Sequence, residues 1–66
     1  MRFLSSGFIR MKVKAISDRK EKKKACVAYL ARMEAQREEQ KRTRSTVEDT
    51  DDTIRFLKME IEHLSS

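Results

Sequence analysis

Two side chains in this sequence could cooperate in a nucleophilic reaction, Cys26 and His63. A thiol attacks as the thiolate, so it needs a base within hydrogen-bond reach and a third group to orient that base. Here the thiol and the imidazole fall on different predicted helices, which a hairpin could bring together. Cys26, however, shares a helical face with Tyr29, Leu30 and Met33, where small buried thiols are ordinary and inert. One Cys and one His make half of a tetrahedral zinc set. The acids Glu48, Asp49, Asp51 and Asp52 lack the glycine and the spaced oxygens of a calcium loop. No glycine-rich phosphate cradle occurs, and 66 residues leave no room for an oxyanion-hole loop or a lid. The expectation is a non-enzyme, with no cofactor, no metal and no small-molecule substrate.

Basic residues offer a different chemistry, neutralisation of phosphates with release of counterions. Lys20, Lys23 and Lys24 precede the Cys26 face, with Lys22 among them, and Arg37, Lys41 and Arg44 recur at i, i+4 and i+7. Arg10, Lys12 and Lys14 add a basic N-terminal set. No aromatic residue interleaves the basic residues of 32–46, so base stacking is poorly provided for. Nucleic acid is therefore a candidate partner through the backbone rather than the bases. The alternative is a solvated face relieved by Glu34, Glu38 and Glu39.

Apolar residues suggest contact with protein. Val47, Thr50, Ile54, Leu57, Ile61 and Leu64 alternate three and four apart, an a/d seam. Val47, Ile54, Leu57, Ile61 and Leu64 are the candidate self-association residues. The same seam would serve equally to pack back on Cys26, Tyr29, Leu30 and Met33 in a helical hairpin. A second stripe, Phe56, Met59 and His63, lies more than about 100° from the seam at helical spacing. One stripe builds a core, whereas two mean a helix covered on both sides or one that displays a contact surface. Phe56, Met59 and His63 are thus the candidate partner-binding residues.

The elements that must position these groups read as mainly α. The sequence has one Gly and no Pro, and 41% of its residues are charged, against about 25% in an average domain. Residues 18–66 read as a two-helix module. Asp18-x-x-Glu21 is an N-cap with an acid at the third helical position, opening a long basic helix over about 18–44. Its apolar stripe is short. After Met33 only Ala35 is apolar as far as Thr46, so the second half is expected to project into solvent. Ser45-Thr46-Val47-Glu48 has the form of a capping box, followed by a shorter helix over about 46–64. Either a hairpin or a bent helix pair fits.

Residues 1–17 form a separate basic segment, read as a strand or a flexible arm. Ile9, Met11, Val13 and Ala15 alternate with Arg10, Lys12 and Lys14, the period of a short half-buried strand. The other reading is that helix begins early and absorbs this stretch. A lone strand would need a second copy of itself or a partner's sheet edge. Strand–helix–helix is also the order of ribbon-helix-helix dimers, an architectural analogy in which Arg10, Lys12 and Lys14 would enter the major groove. Met11 offers a second plausible start, which would leave residues 1–10 with little structural role.

Length and charge complete the expectation. A protein of 66 residues buries only about 60% of its unfolded surface, which favours assembly as a homodimer. Residues 1–46 carry 14 Lys/Arg against five Asp/Glu, and residues 47–66 carry two against six. This split suggests a basic arm for an acidic partner, two halves that attract one another, or both, and attraction between the halves would weaken the field that nucleic acid would feel. One cysteine rules out an intramolecular disulfide, and no apolar run approaches the roughly 20 residues of a membrane span. The acid-poor leader lacks the apolar face of a transit peptide, so a cytoplasmic location without membrane contact is expected. The function expected is a non-catalytic, helix-mediated adaptor, inhibitor or regulator of a larger protein partner. A small dimeric DNA- or RNA-binding regulator is the alternative.

Overall fold

A computed structural model describes residues 3–65. Among these residues the protein forms three α-helices and no strand: α1 Ser6–Lys14, α2 Arg19–Arg42 and α3 Glu48–Ser65. α2 and α3 are antiparallel. Arg19 at the start of α2 donates to the Leu64 carbonyl at 3.1 Å, and Arg37 near its end pairs with Asp51. α1 runs beside α3 in the same sense, with Ser6 on Asp49 and Arg10 over Phe56. The long axis of 36 Å is that of α2, whose 24 residues rise about 1.5 Å each.

The strand expected over residues 9–15 is overturned. Ser5 caps a helix there, its hydroxyl accepting from the Phe8 N–H at 3.2 Å. An alternating pattern also contains i, i+4 pairs, and Ile9 and Val13 form one that is buried at 0% and 1% exposure. Met11, which strand alternation would bury, is 61% exposed. A helix satisfies its own backbone, whereas a single strand here would have had no neighbour. The ribbon-helix-helix analogy falls with the strand. Residues 3–10 also contribute to packing, since Ile9 is in the core and Leu4 rests against it.

The core is small: Ile9, Val13, Cys26, Met33 and Leu57 are buried, with Leu4, Tyr29, Leu30, Ile54, Phe56, Ile61 and Leu64 packed around them. Toward the α2–α3 turn the interior becomes polar. The expected projection of the second half of α2 is overturned here, because Gln36 and Gln40 are only 9% and 7% exposed. Gln36 Nε2 donates to Thr50 Oγ1 at 3.1 Å, and the Thr50 hydroxyl donates to Gln40 Oε1 at 2.6 Å. Thr53, fully buried, donates back to the Asp49 carbonyl at 2.8 Å. No buried side-chain polar atom among the described residues lacks a partner.

The break after α2 is a left-handed turn. Arg44 has φ 62°, the Ser45 N–H reaches the Gln40 carbonyl at 2.8 Å, and the Arg44 N–H reaches Lys41 at 3.3 Å. That bonding is a Schellman motif built without glycine. Ser45 Oγ meets Thr43 Oγ1 at 3.1 Å, and α3 starts at Glu48.

Candidate functional site

α1 and α3 together shape a shallow groove lined by Arg10, Asp52, Arg55, Phe56 and Met59. α3 positions Phe56 at the edge of the core, half-buried, while Met59 one turn on turns outward at 69% exposure. α1 supplies the lid over the ring. The Arg10 guanidinium lies 4.6 Å from the Phe56 centroid and donates from Nε to Ser6 Oγ at 3.1 Å. A cation over an aromatic face is worth about 0.5–1 kcal/mol at an exposed site, enough to bias the rotamer of Arg10. Arg55 pairs with Asp52 at 3.1 Å, which leaves the groove an apolar floor and, on its rim, Arg10, a cation in none of the ion pairs found among the described residues. His63 is exposed further along α3, and its carbonyl accepts from Arg19 at 3.4 Å.

The seam residues lie within the hairpin. Leu57 is fully buried, and Ile54, Ile61 and Leu64 pack around the core on α3. Val47 is half-buried in the connecting turn, its carbonyl accepting from the Asp51 N–H at 2.8 Å.

The basic residues divide into two groups. Arg37 pairs with Asp51 and Lys41 lies 3.9 Å from Glu38, so two members of the expected stripe already face carboxylates. Arg44 sits off the helix, in the turn. The N-terminal group differs. Lys20, Lys23 and Lys24 flank Val27 on the outer face of α2, Val27 is 50% exposed, and none of the ion pairs found among the described residues includes these three lysines. Lys12 stands 5.5 Å over the Phe8 ring, and Lys14 is exposed at the end of α1.

Cys26 has no exposed surface, and its thiol is pushed up from its ordinary value by burial first and by the charge of Glu60 second, with Lys22 opposing. An activated thiolate needs the reverse shift. The acidic turn is occupied as well: Asp49 receives the Ser6 N–H at 2.9 Å, Asp51 holds Arg37 and Asp52 holds Arg55. No group of three or more His, Cys, Asp or Glu among the described residues could hold a metal ion, and no described helix is long and apolar enough to cross a membrane.

The polar clamp around Gln36 escaped sequence reasoning. Its amide accepts from the Leu4 N–H at 2.8 Å and donates to the Leu4 carbonyl at 3.0 Å. The available signal was spacing: Met33, Gln36 and Gln40 continue the three-and-four pattern of Cys26, Leu30 and Met33 in polar residues. No protein-family model matches the sequence, and neither the curated proteins nor the solved structures contain a match to it.

Proposed function

We propose that this protein is a non-catalytic, helix-mediated interaction module, an adaptor, inhibitor or regulator that holds a larger protein through the α1–α3 groove. The observation that carries the reading is Met59, a large apolar side chain 69% exposed beside the half-buried Phe56. An apolar centre with a charged rim is the anatomy of a small binding hot spot. Arg10 on that rim favours a partner helix with a carboxylate next to its apolar anchor. His63 extends the same face of α3. Self-association belongs to this reading too, because a core of five fully buried apolar side chains is thin for a lone domain.

Titration of fluorescent amphipathic helical peptides, carrying one Leu or Phe anchor beside a Glu, tests the groove on the full-length protein. Saturable binding should weaken at least tenfold in Met59→Glu and persist in Met11→Glu, a control at another exposed methionine. Equal loss in both variants, or no binding to the unmodified protein, defeats the reading.

One observation favours nucleic acid as a second reading: Lys20, Lys23 and Lys24 cluster around Val27 and join none of the ion pairs found among the described residues. Affinity for random duplex DNA should then fall steeply with salt, and replacing Lys20 and Lys24 by Glu should flatten the slope by about two units. A flat salt response excludes it.

A further inference from the structure

The N-terminal arm is held through its backbone, by side chains of α2 and α3. Gln36 reads both polar groups of Leu4, at 2.8 and 3.0 Å, and Asp49 receives the Ser6 N–H at 2.9 Å. The seat is braced from behind, Gln36 donating to Thr50 and Thr50 to Gln40. Below this clamp Ile9 and Val13 fill the space against Cys26, Met33 and Leu57. Any copy of the same segment satisfies these contacts equally well.

The tether between arm and seat is short and able to become helix. Ala15-Ile16-Ser17-Asp18 contains neither Gly nor Pro, and Ala15 already has right-handed helical angles, φ −72° and ψ −16°. Asp18 is extended, φ −71° and ψ 123°. Turning Ile16, Ser17 and Asp18 helical would join α1 and α2 into one helix about 55 Å long. That change forms hydrogen bonds left unmade at the two facing helix ends, and gives up the Asp18 cap. It also carries the arm away from its own seat.

We propose that the seat built by Gln36, Asp49, Thr50 and Leu57 also receives residues 4–14 of a second copy, producing an arm-exchanged dimer. The proposal rests on the self-association put forward above and assigns it an interface. Exchange of an identical element reuses every contact of the closed monomer, so its thermodynamic penalty is confined to association and the hinge. Charge assists capture in a general way: the arm carries Arg10, Lys12 and Lys14 and no acid, α3 opens with Glu48, Asp49, Asp51 and Asp52, and Arg10 lines the same groove as Asp52.

The test uses the full-length protein with Cys26→Ala, Arg10→Cys and Met59→Cys, the last two at surface positions lining one groove. After refolding at about 1 µM and about 1 mM, light scattering reports mass, and a short bis-maleimide links residues 10 and 59 before denaturing electrophoresis. Closed molecules give linked monomers, whereas exchanged molecules give covalent dimers. We expect covalent dimers after refolding at the higher concentration. Ser17→Ala with Asp18→Ala, which weakens the cap and favours continuous helix, should raise the association constant roughly tenfold. Dimers that link only within each protomer, or whose population ignores the hinge substitutions, arise from another surface and overturn the proposal while leaving self-association intact. Monomers at both concentrations, in parent and hinge variant alike, overturn both.

Discussion

Gln36 commits its side-chain oxygen and both amide hydrogens to other segments, two contacts to the Leu4 backbone and one to Thr50. An apolar residue of similar size would leave a backbone N–H and a backbone carbonyl without partners in a nearly buried site. Gln36→Leu should therefore cost about 3 kcal/mol in chemical denaturation and speed amide exchange at Leu4 and Ser6. Gln36→Glu is the sharper probe. An ionised carboxylate cannot donate to the Leu4 carbonyl, whereas its protonated form can donate once, so the loss should be larger at about pH 7 than at about pH 4. Cys26 makes an alkaline prediction. Its pKa is raised in the folded protein, by burial and then by Glu60, so the folded state keeps its thiol proton at a pH where the unfolded state has lost it. Stability contributed this way is complete below the ordinary thiol range and fades as pH climbs through the raised value. Denaturation midpoints from about pH 8 to about pH 10 should fall further for the native protein than for Cys26→Ala.

Helix ends and one helix interior carry the predictions at the scale of elements. Gly7 lies within α1 without a positive φ, and a Cβ there would meet nothing within 4 Å. Gly7→Ala should thus raise the midpoint of thermal unfolding, by a stability gain of about 0.5–1 kcal/mol, because alanine loses less backbone freedom on folding. Arg44 is the opposite case. A side chain at φ 62° is strained by roughly 1–2 kcal/mol relative to the right-handed region, and the turn it occupies is one that glycine enters freely. Arg44→Gly should stabilise the hairpin by about 1 kcal/mol in the same assay. If Arg44 were a nucleic-acid contact, that variant would gain stability and lose affinity together. The cap of α2 at Asp18 is the third lever, since it sets the boundary between a closed α1–α2 corner and a single long helix.

For the molecule as a whole, 63 described residues share five fully buried apolar side chains, so stability is narrow and distributed between a greasy end and a polar end. Replacing Leu57, at the centre of the former, by Ala should cost about 2–5 kcal/mol and unfold most of the population at about 37 °C. Phe56→Ala removes a ring that is only half-buried and releases Arg10, which predicts a smaller loss of about 1–2 kcal/mol. Met59→Ala should leave the midpoint almost unchanged, given 69% exposure. A thermal melt of the three variants ranks the side chains by burial before any partner is known. A Met59 variant that melts early would place that residue in an interface already formed in solution.

Sequence alone determined the helical character of this protein, because charge, the near-absence of Gly and Pro, and i, i+3/i+4 spacing act within a few residues of one another. The seam on α3 and the second stripe of Phe56 and Met59 are legible for that reason. Which neighbour meets each stripe is not local information. The Ile9–Val13 pair fits both a strand and a helix, and only the seat between α2 and α3 selects the helix. Gln36 and Gln40 look like solvent-facing residues in a polar stretch, and Thr50 like a polar member of the α3 seam, until two helices and an arm bring their hydrogen-bonding groups together. Arg37 and Lys41 form a continuous basic stripe on paper; Glu38 beside Lys41 is local to the same helix, whereas Asp51 becomes a neighbour of Arg37 only when α3 folds back on α2. Local physics thus decides what each segment can be, and tertiary contact decides which faces are used up and which, like Met59, remain.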